Sequence, residues 1–195
     1  MLKLGSAFFL LLVQTTPLIL CQTGPYHASA DDYGQAYYVD SSNNVNELGP
    51  KMDSVSFGYD LGVAPAGTTY IAIAAANKVP PPGWTNTNPA WILFSSDKGA
   101  TGDRIVSDTT WKCQTYPKYT EQRMWPNSAD VPIAIKSLVG TFDTLLDATE
   151  VLGNWPNFVD RIALGAKRIW YAGLSEEGSE AGIKPTNNVI CLKKL

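Results

Sequence analysis

The chain has 195 residues, 45 % hydrophobic and 17 % charged, which suits one domain or at most a small pair and excludes a disordered chain. The formal net charge is −3 and the charges are dispersed, with no basic stripe and no basic run longer than a pair such as Lys193-Lys194, so nucleic acid is not an expected partner. Six Trp and nine Tyr supply large rings for a small core.

Residues 1–21 read as a secretory signal peptide. Lys3 supplies the positive start, the run Ala7 to Val13 the apolar block, and Gln14-Thr15-Thr16-Pro17 followed by Leu18-Ile19-Leu20-Cys21 the approach to the cut. The apolar block is short for a bilayer crossing, and no longer one follows. Cleavage is expected after Cys21. That leaves Gln22 at the new N-terminus, a single domain over residues 22–195, and a secreted, extracellular product. The competing reading is a lipoprotein that keeps Cys21, but it wants a small residue where Leu20 stands.

Strand patterns dominate the mature chain. Gln35-Ala36-Tyr37-Tyr38-Val39-Asp40 is aromatic and β-branched and runs into the turn-rich Ser41-Ser42-Asn43-Asn44. Residues 55–61 alternate apolar with small or polar side chains, as a half-buried strand does. Ala64-Pro65-Ala66-Gly67 is a turn, and TTYIAIAAA over residues 68–76 is a continuous β-rich run suited to a central strand. Pro80-Pro81-Pro82 opens an irregular segment that cannot join a ladder. Residues 90–94 follow as a buried strand, residues 104–106 as a short one, and Ser107 to Cys113 leads into a loop. The helical candidate is residues 139–152, with Phe142, Leu145, Leu146 and Val151 as its apolar set and Gly153 as its stop. Residues 163–172 turn into a strand at their end, and residues 189–195 alternate as the last strand. Short strands, many Gly and Pro turns and little helix imply an all-β sandwich.

Several segments together resemble the galactose-binding-like family, a jelly-roll β-sandwich. Ala30-Asp31-Asp32-Tyr33 followed by Tyr37-Tyr38-Val39-Asp40 is similar to the family's opening, with Asp40-Ser41 standing where the family often has Asn-Gly. Tyr59-Asp60-Leu61, Gly67 and Tyr70 to Asn77 resemble its core strand. Ile105-Val106-Ser107-Asp108-Thr109-Thr110-Trp111-Lys112 and Ala166-Lys167-Arg168-Ile169-Trp170 resemble two later segments. The resemblance implies a jelly-roll fold over most of residues 30–195 and loops at one end that often bind sugars. Trp111 and Trp170 are expected in the core.

With Cys21 removed, Cys113 and Cys191 are expected to pair, as two cysteines in an exported domain most often do; two buried free thiols are the alternative. Two Cys and one His fall short of an ordinary zinc site. No nucleophile elbow, phosphate loop or zinc-protease motif is present, and His27 stands near the mature N-terminus, where a chain end is usually mobile. Glu176, Glu177 and Glu180 read as a solvated loop. The expected role is therefore not enzymatic, with a small secreted hydrolase as the weakest alternative. A pyranose has one apolar face and a rim of hydroxyls, so its site needs an aromatic ring beside amides or carboxylates. Trp84, Asn86 and Asn88 supply that combination, and a carbohydrate-binding module is the leading expectation. The alternatives are that Trp84 caps the core and that the protein is a structural component of an extracellular matrix or secretion. No cofactor is expected beyond a candidate structural calcium ion, with Asp31 and Asp32, joined by Asp97 and Asp103, as its ligands. The expected partners are glycans or matrix components, with no membrane span.

Overall fold

A computed structural model describes residues 25–53, 58–76, 91–97, 104–115, 129–151, 159–171 and 188–195. Ten strands are present among them: β1 (Tyr26–Asp31), β2 (Tyr33–Asp40), β3 (Val45–Met52), β4 (Tyr59–Gly62), β5 (Thr68–Ala76), β6 (Trp91–Ser96), β7 (Lys112–Thr115), β8 (Leu146–Glu150), β9 (Ile169–Tyr171) and β10 (Asn188–Lys194). They pair antiparallel throughout, in the order β3-β2-β5-β10-β7-β8-β9-β6-β1-β4. β4 returns against β3, so the sheet is nearly closed. The fold is all-β with one helix among the described residues, α1 (Asp130–Gly140). Among the described residues no helix is long and apolar enough to cross a membrane.

The apolar run of β5 is explained by burial on both of its faces. Ile71, Ile73 and Ala75 point into the main core, while Ala72 and Ala74 lie on the other face under α1. β10 divides the same way, with Val189 and Cys191 inside and Ile190 and Leu192 under the helix. Such strands lose the polar alternation of a half-exposed one. Tyr26, Phe94 and Trp111 form the aromatic centre of the core, with ring centroids 5.5 Å apart for Tyr26–Phe94 and 5.1 Å for Phe94–Trp111. The Trp111 indole N–H donates to the Val106 carbonyl at 2.9 Å, so this ring is buried without an orphan donor. Trp170 is buried as well.

Four expectations are corrected. The helix occupies Asp130–Gly140, whereas residues 139–152 hold its end, a single 3₁₀ turn at Phe142–Thr144, and strand β8. Val131 and Ile135 are buried and Leu138 and Val139 pack beside them, an i, i+4, i+7, i+8 stripe; Pro132 is tolerated because it falls in the first turn. Leu146–Glu150 is a strand because β7 and β9 pair with it on either side. Lys112–Thr115 is also a strand rather than the start of a loop, while residues 104–106 make only a single bridge, Val106 to Ser95. His27 lies in β1 between β4 and β6, and so belongs to the sheet rather than to a mobile end.

The turn that begins at Asp40-Ser41 is closed by its own side chains. Asp40 Oδ1 accepts the N–H groups of Ser42 and Asn44 at 2.8 and 2.9 Å, and Asn43 takes the left-handed φ of 61°. Hydrogen bonds from Asn44, by its side chain and its backbone, and from Ser42 hold the exposed Asp40 carboxyl below its usual range. Cys113 and Cys191 form a disulfide. They are directly opposite on β7 and β10, which sets their Cα atoms 4.1 Å apart, slightly closer than most bridged cysteines.

Candidate functional site

Register places many strand ends at one end of the sheet. Tyr33 of β2 and Asn188 of β10 both pair with Ala76, the last residue of β5. Val189 pairs with Thr115, the last residue of β7, and Asp31 pairs with Trp91, the first of β6. Gly34 pairs with Met52, the last of β3. The Asp32 N–H donates to the Ala76 carbonyl at 3.2 Å, tying β1 and β2 to β5 at this end.

Asp31 is 4 % exposed there. Burial first, then the charge of Asp32 and a side-chain hydrogen bond with it, push the Asp31 carboxyl up to about 8. Asp31 is therefore a neutral acid over most of the physiological range, beside a second carboxyl. Its cross-strand neighbour Trp91 is also buried, and the Arg168 guanidinium lies 5.7 Å from the Trp91 ring centroid. The indole N–H of Trp91 meets no acceptor among the described residues. The Trp91 indole N–H and the carboxyls of Asp31 and Asp32 thus share one strand end, a set of hydrogen-bonding groups of the kind that meets hydroxyls.

Of the candidate calcium ligands, Asp31 and Asp32 are together. Asp97 is not with them: it follows Ser96, which pairs with Tyr26 at the opposite end of β1, and its carboxylate lies 3.7 Å from His27 Nε2. Asp103 lies outside the described residues, as do Trp84, Asn86, Asn88, Glu176, Glu177 and Glu180. Among the described residues no group of three or more His, Cys, Asp or Glu is placed to hold a metal ion.

A second feature was not legible in the sequence. Where β4 returns against β3, a cleft of about 380 Å³ is lined by Pro50, Gly58, Tyr59, Asp60, Asp160 and Arg161. The turn at residues 159–162, closed by the Ile162 N–H to the Val159 carbonyl at 3.1 Å, carries Asp160 and Arg161 at its corner. Val159 and Ile162 anchor it by packing on Trp91 and Leu93. Gly58 is required at the contact, because a Cβ there would collide with the Asp160 carbonyl oxygen. The Tyr59 hydroxyl donates to Asp53 Oδ1 at 2.7 Å and accepts the Asp53 N–H at 3.2 Å, which fixes the ring. Nothing in the spacing of Asp60, Asp160 and Arg161 marks them, since a separation of about 100 residues is closed only by the fold. No family model, curated protein or solved structure matches this chain.

Proposed function

We propose that the protein is a secreted, non-catalytic carbohydrate-binding module on a galactose-binding-like jelly roll, and that it binds glycans at the end of the sheet where Asp31 lies. The observation that carries this reading is the gathering there of strand ends around Asp31, Asp32 and Trp91. Ala76 and Trp91, which bracket residues 77–90, are both at that end, and those residues include Trp84, Asn86 and Asn88. An aromatic ring, two amides and a carboxyl pair are the chemistry that a sugar's mixed surface asks for. The jelly-roll assignment is supported by the path of the chain. β8 divides the sheet order into β3-β2-β5-β10-β7 and β9-β6-β1-β4, and most successive strands cross between these halves, while β2-β3 and β7-β8-β9 follow neighbour to neighbour.

A glycan array with wild type and Trp84→Ala tests the reading. Binding of the wild type, lost in a Trp84→Ala variant of unchanged melting temperature, is the expected result. If no glycan binds, or if Trp84→Ala binds as wild type does, the reading fails and a structural role in a matrix or secretion replaces it. A shallow polar site with one aromatic is expected to be weak singly, so multivalent display on the array matters.

A further inference from the structure

We propose that the cleft between β3, β4 and the turn at residues 159–162 is a saccharide subsite that prefers a sugar bearing a free amino group to neutral or uronic-acid sugars. The inference rests on the carbohydrate reading above and adds to it a second place of contact and a charge preference. Its lining is mixed, as a sugar site requires. Pro50 and Tyr59 give apolar wall, Asp60 and Asp160 accept hydrogen bonds, and Arg161 donates them.

Among the described residues that line the cleft the charges do not balance. Two carboxylates stand with one guanidinium, and Asp53, bonded to the Tyr59 hydroxyl, adds a further carboxylate at the margin. Asp60 spends Oδ1 on the Gly62 N–H at 2.8 Å, and its other oxygen has no hydrogen-bond partner among the described residues. Among the same residues Asp160 is engaged only by the adjacent Arg161 Nε at 3.9 Å, with both side chains more than half exposed, a pairing of little strength. An ammonium group entering the cleft therefore meets carboxylates that it need not take from a strong partner. A uronate would meet the same carboxylates as like charges. Arg161 holds a left-handed φ of 67° at the turn, a conformation that the docking of Val159 and Ile162 maintains. The cleft is thus shaped by the fold before any ligand arrives.

The test is calorimetric titration at mildly acidic pH, where a sugar amine is protonated. The ligands are deacetylated chito-oligosaccharide, its N-acetylated counterpart and oligogalacturonate; the proteins are wild type, Asp60→Asn, Asp160→Asn and Trp84→Ala. The amide in Asp60→Asn keeps the Oδ1 acceptor for Gly62, and equal melting temperatures establish that the variants fold. The deacetylated ligand is expected to bind wild type about three- to tenfold more tightly than the acetylated one. High salt and either amide variant are expected to narrow that ratio toward one. A ratio unchanged in both amide variants, or tighter binding of the uronate, overturns the inference. If glycans bind and only Trp84→Ala weakens them, this inference falls and the carbohydrate reading stands. If no glycan binds at all, both fall.

Discussion

Replacing Asp31 by Asn should make the protein more stable in mildly alkaline solution while changing little in acid. The native carboxyl is raised from 3.8 to about 8, chiefly by burial. Between those two pH values the folded protein keeps a proton that the unfolded chain has released. Folding stability therefore falls as pH rises, by up to ~1.4 kcal/mol per pH unit for one proton. A rigid site would lose ~5–6 kcal/mol in total by this arithmetic. Asp32, the partner in the pair, is only partly buried, so water and side-chain movement relieve part of that loss, and ~2–3 kcal/mol is the expected size. The amide of the Asp31→Asn variant is neutral, has the same shape and has no proton to lose. Urea unfolding, with the disulfide intact, would be followed for wild type and Asp31→Asn from below pH 3.8, where folded and unfolded chains both hold the proton, through neutral to mildly alkaline pH. The difference between the two proteins cancels every titration that is independent of the Asp31–Asp32 pair. The expected result is near equality in acid and an advantage of ~2–3 kcal/mol for the variant at alkaline pH, with m-values unchanged. Equal pH slopes for the two proteins, or a variant less stable than wild type at alkaline pH, would refute the assignment of Asp31 as a buried neutral acid.

Other outcomes are equally specific. Replacing both Cys113 and Cys191 by Ala frees a loop of 78 positions and should lower stability by ~2–4.5 kcal/mol, read as a fall in melting temperature that reducing agent reproduces in wild type. Gly58→Ala should cost ~1–3 kcal/mol, because the new methyl drives the 159–162 turn away from β4; an unchanged denaturation midpoint would mean that the contact is not tight. Phe94→Ala removes the ring between Tyr26 and Trp111 and should cost ~3–5 kcal/mol, whereas Val63→Ser, at a side chain 52 % exposed, should stay within ~0.5 kcal/mol; urea midpoints compare the two. Secreted material should begin at Gln22, and N-terminal mass analysis that finds Met1, or a lipid on Cys21, would overturn the signal-peptide reading.

The β class, the long central strand and the last strand were legible in the residues themselves, because TTYIAIAAA and Val189 to Leu192 carry enough β-branched and apolar side chains to declare burial without knowing what covers them. The burial of Trp111 and Trp170 was legible for the same reason. Pairing of Cys113 with Cys191 was the expectation from cysteine count, and the fold supplied the register that makes them opposite neighbours. Leu146–Glu150 declared nothing: its composition suits a helix or a loop as well, and it is a strand because β7 and β9 offer it two ladders. The helix over Asp130–Gly140 likewise depends on the apolar face that β2, β5 and β10 present to it. The aspartates that qualify as calcium ligands by residue type look alike as letters. Antiparallel pairing with β6 sends Asp31 to one end of β1 and Asp97 to the other, and burial at the first end pushes the Asp31 carboxyl up. The cleft goes further in the same direction, since Asp60 and Asp160 meet only after β4 closes on β3 and the 159–162 turn docks on Trp91. Local sequence records which side chains avoid water; which charges become neighbours is decided by long-range pairing, and that is a property of the folded chain alone.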